Sequence, residues 1–151
     1  MKLYILALLI LIFQTSVLIK YITVSNFAPD FLSILTILYV LRHSTYSSLK
    51  FGGFIGFLQD LFSPSFSVAN LVSKLLMVIF TTSVKRVIFV SNFAVQFLII
   101  ALLSAVDIFL KVIFVYFETG FFYLSLEFFA YIFLNLIVFG VYYIINEHKK
   151  G

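Results

Sequence analysis

Six apolar runs, separated by short polar segments, occupy most of this 151-residue chain. Hydrophobic residues make up 64% of it and charged residues only 11%, whereas soluble domains average about 45–50% apolar and about 25% charged residues. A soluble domain of this size cannot bury so much apolar side chain, because most of its residues lie near the surface. The composition therefore argues against a soluble enzyme or a nucleic-acid-binding module and predicts an integral membrane protein in contact with the lipid bilayer.

The apolar runs predict an all-α bundle of six transmembrane helices in a single membrane domain covering residues 1–151. A spanning helix needs about 20 mainly apolar residues, so six helices would use most of the chain. Runs two and three are too short to cross a bilayer alone. They can extend through the polar residues 44–49 as a helical hairpin, or cross in part and lie inside the bundle. The predicted spans are residues 3–19, 31–41, 51–62, 68–84, 87–106 and 121–145.

The basic residues predict the orientation of this bundle. Cytoplasmic segments of membrane proteins carry an excess of Lys and Arg. With six spans and the N-terminus inside, Lys20 and Lys111 fall in outside segments, Lys74 falls within a span, and the other seven basic residues fall inside. We therefore expect a multi-pass membrane protein with both termini in the cytoplasm. The seven inside residues are Lys2, Arg42, Lys50, Lys85, Arg86, Lys149 and Lys150.

The sequence offers little for catalysis or for holding a cofactor. The chain has no cysteine, which excludes disulfides and thiolate metal sites. His43 and His148 lie in basic segments without a metal-ligand spacing such as H-E-x-x-H. No P-loop or dinucleotide-binding fingerprint is present. We expect a protein with no catalytic residue, cofactor or metal.

Four ionisable residues lie at membrane depth or near its edge: Asp60, Lys74, Asp107 and Glu127. A charge at the bilayer centre costs about 2.5–3.5 kcal/mol on insertion scales, so such residues usually face the bundle interior, pair with each other or line a water-filled path. Asp107 and Lys111 are four residues apart, a spacing that allows them to pair on one helix. Asn135 adds a polar group within the sixth run. Polar contacts that hold helices together and an ion path remain open as interpretations, and we favour the former.

Gly52, Gly56 and Asp60 follow one another at intervals of four residues, with Gly53 beside them. Residues four apart lie on one face of a helix, and small residues at this spacing let two helix backbones approach closely. The pattern therefore predicts that the third helix packs tightly against a neighbour and directs Asp60 into that contact.

Two segments together resemble the MreD family of rod-shape-determining membrane proteins. The first is Pro29-Asp30-Phe31-Leu32, and the second runs from Gly52 to Ser63 as GGFIGFLQDLFS. The family pattern is P-D-hydrophobic-L, followed by G-hydrophobic-x-x-G-x-x-x-D-hydrophobic-hydrophobic-S. The similarity in length, apolar runs and basic C-terminal tail covers the whole chain, but its specific part is residues 29–66. After the Asp motif the chain has Pro64-Ser65-Phe66, where the family often has Gly or Pro.

The resemblance implies a non-enzymatic subunit of the cell-elongation complex, located in the bacterial inner membrane. In that family the protein binds MreC, a bitopic membrane protein, and the pair links MreB filaments to RodA and its transpeptidase in peptidoglycan synthesis. The residues expected to serve structure and partner binding are Pro29, Asp30, Gly52, Gly53, Gly56 and Asp60.

The resemblance also leaves a second function open. The MreD fold is similar to that of the vitamin-binding S-components of ECF transporters, so a small-molecule-binding subunit is the alternative. Such a subunit needs a polar cavity near the outer face. The predicted topology places Asp30 and Asp60 on the same outer side, where they could meet. A transporter that couples to ions or protons through the intramembrane charges is a third class.

Overall fold

A computed structural model of the chain describes residues 2–16, 29–63, 68–87, 92–121 and 127–148. These ranges form six α-helices and no strand, which confirms the predicted all-helical fold. The helices are α1 (Lys2–Thr15), α2 (Phe31–Arg42), α3 (Thr45–Leu61), α4 (Ala69–Val87), α5 (Phe93–Thr119) and α6 (Glu127–His148).

The short helix α2 lies at the centre of the bundle and contacts each of the other five described helices. Its residues contribute to two apolar clusters. Ile37 packs with side chains of α4, α5 and α6, including Met77 and Phe139, while Leu32 packs with α1 and α3 around Phe51. At about 1.5 Å per residue, its 12 residues span only about 18 Å. Because the other described helices surround α2, most of its side chains are buried.

Two described helices are long and apolar enough to cross a bilayer. They contain the stretches Phe93–Phe117 in α5 and Phe128–Ile145 in α6, and most of each stretch is not buried inside the protein. α1 and α2 carry shorter apolar stretches. The outer faces of α5 and α6 expose large apolar side chains, among them Leu98, Leu102, Phe129 and Phe133.

The boundaries of α3 show how far the short second and third runs extend. α2 ends at Arg42 and α3 begins at Thr45, so the polar residues after Ser44 belong to α3. The helix therefore starts before the apolar run at residue 51 and extends through the polar residues, which is one of the two interpretations that the sequence left open. Among these polar residues, Ser48 donates a hydrogen bond from its hydroxyl to the backbone oxygen of Ser44, and its side chain is buried. The two helices therefore form a helical hairpin.

The largest disagreement concerns the fifth span, which was predicted at 87–106. α5 begins at Phe93 and continues to Thr119, where Gly120 ends it in the left-handed conformation with φ 74°. Asp107 and Lys111 therefore lie inside a helix, and Lys111 is not in an outside loop as the charge count assumed. Each of the two charges has a partner outside α5, Lys74 for Asp107 and Asp30 for Lys111.

The remaining boundaries differ less. α1 ends at Thr15, since Ser16 is no longer helical, and α4 runs three residues beyond 84 to Val87. Residue 121, the predicted start of the sixth span, is not helical, and α6 is described from Glu127. The predicted residues 17–19 and 122–126 lie outside the described part of the chain.

Candidate functional site: a buried cluster of four charges

Four charged side chains from three parts of the chain meet inside the bundle. Lys74 Nζ lies 2.9 Å from Asp30 Oδ2 and 3.7 Å from Asp107 Oδ1. Lys111 Nζ lies 2.7 Å from Asp107 Oδ2 and 3.3 Å from Asp30 Oδ2. Each lysine thus contacts both aspartates, and each aspartate contacts both lysines. We call these four residues the charge cluster.

The charge cluster is neutral as a whole and almost completely buried. The side chains of Lys74 and Asp107 are 0% exposed, that of Asp30 is 6% exposed, and that of Lys111 is 27% exposed. An unpaired charge in such a place would be strongly destabilising, since its lost hydration is not replaced. Two positive and two negative groups in alternation replace that hydration with mutual attraction, so removal of a single member would leave an unpaired charge inside the bundle.

Hydroxyl groups satisfy the remaining hydrogen-bonding capacity of the carboxylates. Ser73 and Tyr131 both donate short hydrogen bonds to Asp107. Ser33 donates from its hydroxyl to Asp30 Oδ2 at 2.7 Å and in turn accepts from Lys74 Nζ at 2.6 Å. Buried ion pairs need such additional hydrogen bonds to offset desolvation.

Asp30 reaches the charge cluster because it also begins α2. Its Oδ1 accepts from the backbone N–H of Ser33 at 3.0 Å, the usual geometry of an N-cap aspartate. Pro29 precedes it, and a residue before proline is kept out of the helical conformation. These local preferences fix the start of α2 at Phe31 and leave Oδ2 of Asp30 for the two lysines.

An asparagine ties α6 to the same place. The Asn135 side chain is fully buried, and its Oδ1 accepts from the backbone N–H of Asp30 at 2.8 Å. Its Nδ2 donates to Ser104 Oγ in α5 at 3.1 Å. Together with the bond from Lys74 to Asp30, these hydrogen bonds connect the start of α2 to α4, α5 and α6.

The glycine pattern lies in the contact between α3 and α4, the most extensive contact between two helices. A Cβ atom placed on Gly56 would lie 2.6 Å from Leu71 Cα and 2.8 Å from the backbone oxygen of Asn70. A Cβ on Gly52 would lie 2.6 Å from a side-chain methyl of Val78. Gly53 is not under this constraint, because its nearest neighbour would be a Leu75 methyl at 3.7 Å. The backbones of α3 and α4 approach this closely only because residues 52 and 56 have no side chain.

Asp60 caps a helix to which it does not belong. Its Oδ1 accepts from the backbone N–H of Asn70 at 3.0 Å and its Oδ2 from that of Leu71 at 2.9 Å. The first N–H groups of a helix have no partner within the helix, and a negative charge is favourable at this end. Asp60 therefore stabilises the start of α4 while Gly56, four residues earlier, brings the two helices into contact.

A cavity of about 230 Å³, with both polar and apolar residues in its wall, lies beside the charge cluster and borders both capping sites. Gln59 Nε2 donates to Asp30 Oδ1 at 3.3 Å, and Gln14 Nε2 donates to the backbone oxygen of Pro29 at 3.0 Å. Asp30 and Asp60 thus lie at the same end of the bundle. The lining residues are Leu11, Gln14, Thr15, Pro29, Asp30, Gln59, Phe62, Asn70, Lys111 and Tyr131.

The residues expected from the sequence fall into two groups in space. Asp30, Lys74 and Asp107 join the charge cluster, with Pro29 beside the cavity, while Gly52, Gly56 and Asp60 line the α3–α4 contact. The i,i+4 pair of Asp107 and Lys111 is present, as its spacing predicted. Glu127 begins α6, but its side chain lies outside the described part of the structure.

Sequence reasoning missed the contribution of Ser33, Ser73 and Tyr131 and the contact of Lys111 with Asp30. The position of Ser33 in the sequence could have indicated its role, because a serine three residues after an N-cap aspartate has both its N–H and its hydroxyl near the carboxylate. Nothing in the sequence distinguishes Ser73 and Tyr131, since serine and tyrosine are frequent throughout the chain. Their role depends on how the helices pack.

Comparison with known proteins identifies no relative of this chain. No protein-family model matches the chain, and neither curated proteins nor solved structures contain a significant match.

Proposed function

We propose that this chain is a non-enzymatic membrane subunit of the bacterial cell-elongation complex. In this proposal it binds an MreC-like bitopic protein and helps couple MreB filaments to peptidoglycan synthesis by RodA and its transpeptidase. The six helices form a transmembrane bundle similar to the S-component fold, with both termini in the cytoplasm of the cell. The two helices that are long and apolar enough to cross a bilayer, α5 and α6, support the membrane location.

The observation that carries the proposal is the structural role of the MreD-like pattern. Gly56 allows the contact between α3 and α4, Asp60 caps α4, and Asp30 forms ion pairs with two lysines. The pattern thus defines the shape of the bundle, which is what a subunit without a chemical step contributes to an assembly. A role of these residues in partner binding stays a prediction, and since Gly52 and Gly56 are buried against α4, we expect that role to be indirect.

Exposed apolar side chains supply a surface for the proposed partner. Phe129 is 70% exposed and Phe133 64% exposed on α6, and on α1 Leu9 is 60% and Ile12 62% exposed. In a membrane such faces contact either lipid or the transmembrane helix of another protein. A bitopic partner contributes one such helix, so the proposal places its contact on an outer face of α1 or α6.

Cell shape tests the proposed function directly. Depletion of the protein in its rod-shaped host should produce round cells, because elongation would no longer be coupled to the MreB filament. Expression of the wild type or of Lys50→Met, a change at an exposed residue, should restore rods. Gly56→Leu should not restore them, since the leucine would collide with the backbone of α4. Unchanged cell shape after depletion would refute the proposal.

A vitamin-binding subunit of an ECF-type transporter is the second candidate, and the cavity beside the charge cluster is the observation in its favour. Its volume of about 230 Å³ lies below the roughly 300–1,000 Å³ usual for drug-sized ligands. The size therefore favours the adaptor over a vitamin carrier. Tight retention of a vitamin by the purified protein, together with an ATPase module recovered alongside it, would reverse this preference.

A further inference from the structure

An apolar groove lies between α4 and α5 and is open to the outside of the bundle. Among its lining residues, Ile99 and Leu103 are almost completely buried and form the floor, whereas Phe80, Leu98 and Leu102 are exposed and form the rims. We infer that this groove holds one acyl chain of an anionic phospholipid from the bilayer. The inference goes beyond the proposed adaptor role, because it needs the membrane but no partner protein.

The wall of the groove offers no free group to a polar ligand. Eight of its nine lining residues are apolar. The ninth, Thr81, is buried, and its hydroxyl donates to the backbone oxygen of Met77 in its own helix. A polar occupant would lose its hydrogen bonds without replacement, which is unfavourable. The groove therefore suits an apolar occupant.

The groove has the length of one lipid leaflet. Its lining residues on α5 extend from Val95 to Val106, a distance of about 16 Å at about 1.5 Å per residue. The hydrocarbon core of a bilayer is about 30 Å thick, so one leaflet contributes about 15 Å. Because α5 starts at Phe93, the groove begins within one turn of the end of this helix.

The width of the groove distinguishes a lipid chain from a helix. A volume of about 300 Å³ over a length of about 16 Å corresponds to a mean width of about 4 Å. Non-bonded carbon atoms pack about 3.5–4.0 Å apart, so one methylene chain fills this width. An α-helix with its side chains is about 10–12 Å in diameter. A transmembrane helix of another protein would cover the groove without filling it.

The groove begins where α4 ends. Ser73, near the start of α4, donates a hydrogen bond to Asp107 in the middle of α5. Further along α4, Val84 lines the groove together with Val95, near the start of α5. The two helices are thus antiparallel, and the last turn of α4 lies beside the first turns of α5.

This end of α4 is basic and matches an anionic head group. Its last turn contains Lys85 and Arg86. Lys85 donates to two backbone oxygens at the end of α2, whereas Arg86 is exposed and forms no ion pair among the residues that the structure describes. The described aspartate side chains lie in the charge cluster or at the start of α4, away from this end. Basic residues beside transmembrane helices bind anionic lipid head groups, so the lipid phosphate lies at Arg86.

Selective binding of an anionic lipid tests the inference. The purified full chain, freed of lipid in detergent, would be mixed with phosphatidylglycerol or with phosphatidylcholine of the same acyl chains. Native mass spectrometry would measure the bound lipid. One basic residue near a membrane surface changes lipid affinity about fivefold, so we expect phosphatidylglycerol to bind at least about fivefold more tightly. Equal binding of the two lipids would overturn the inference.

A pair of charge variants tests the position of the head group. Arg86→Gln should remove most of the preference for phosphatidylglycerol, whereas Lys50→Gln should leave it within about twofold of the wild type. Lys50 is the matched control, because it is an exposed basic residue on α3, a helix for which the described residues show no contact with α5. An equal loss of preference in the two variants would contradict a phosphate site at Arg86.

A second pair of variants tests the position of the acyl chain. Val95→Phe should weaken the binding of both lipids about fivefold, because the larger side chain displaces one or two methylene groups from the groove. Val115→Phe, the same change at an exposed position of α5 outside the groove, is the control. Leu102→Trp changes only an exposed rim position and should act like Val95→Phe. Unchanged lipid binding in a folded Leu102→Trp protein would contradict the assignment of the groove.

Photo-cross-linking in native membranes identifies the occupant. A photoreactive phenylalanine analogue in place of Leu98, on the rim of the groove, should give an adduct with the mass of a phospholipid. An adduct with a protein instead would place a partner helix on this face and overturn the lipid assignment. The binding measurements use the chain alone, so their outcome is independent of whether an MreC-like partner exists.

Discussion

Asp30 and Lys74, 44 positions apart in the chain, form a buried ion pair of 2.9 Å between the start of α2 and the side of α4. Each residue also has a second ion-pair partner, Lys111 for Asp30 and Asp107 for Lys74. The four charges act as one unit that fixes the central helix relative to its neighbours. Removal of one charge should therefore affect the whole bundle.

Lys74→Met should destabilise the protein by about 3–5 kcal/mol, because two buried aspartates would then share one lysine. The free energy of unfolding in detergent micelles measures this effect. Lys50→Met is the matched control, since Lys50 is exposed and lies over the Tyr46 ring. It should change stability by no more than about 0.5 kcal/mol. Equal stability of the two variants would contradict the role of the charge cluster.

Asp107→Asn in the Lys74→Met background should restore part of the lost stability. The double variant retains Asp30 and Lys111, which lie 3.3 Å apart and balance each other. A double-mutant cycle should therefore give a coupling of about 1–3 kcal/mol between positions 74 and 107. Strict additivity of the two single changes would show that the charges do not interact.

Gly56→Ala should destabilise the protein by about 1–3 kcal/mol, because the added methyl group meets the backbone of α4 at 2.6 Å and forces the helices apart. Gly53→Ala is the matched control on the same helix, where the nearest atom is 3.7 Å away. It should be neutral or stabilising by up to about 1 kcal/mol, since alanine favours the helix. Thermal unfolding of the two variants in parallel makes the comparison. A Gly56→Ala protein as stable as Gly53→Ala would disprove the close contact.

Asp60→Ala should lower stability by about 0.5–2 kcal/mol, the usual cost of a lost N-cap. Asp60→Asn retains one acceptor oxygen and should lose less. Amide hydrogen exchange would localise the effect, because the N–H groups of Asn70 and Leu71 should exchange faster in Asp60→Ala than in the wild type. Unchanged exchange at these two positions would exclude Asp60 as the cap of α4.

The sequence predicted those parts of the structure that depend on local spacing. The glycine interval of four residues predicted a close contact of α3, and the interval from Asp107 to Lys111 predicted an ion pair. The start of α2 after Pro29 was also predictable, because proline and an N-cap aspartate act on their immediate neighbours.

The other contacts of the charge cluster were not predictable, because they join residues far apart in the chain. Lys111 and Asp30 are 81 positions apart, and no periodicity relates them. The end of α5 was misplaced for the same reason. Asp107 and Lys111 were read as the edge of a span, since a charge is costly in a bilayer, whereas partners on other helices remove that cost.

The central claim is that this chain binds an MreC-like partner, and purification from native membranes tests it most directly. The tagged protein would be isolated in mild detergent and its associated proteins quantified by mass spectrometry. The proposal predicts recovery of a bitopic membrane protein similar to MreC in a fixed ratio, and loss of that protein with Gly56→Leu but not with Lys50→Met. Absence of any such partner, with an ATPase module recovered in its place, would contradict the account.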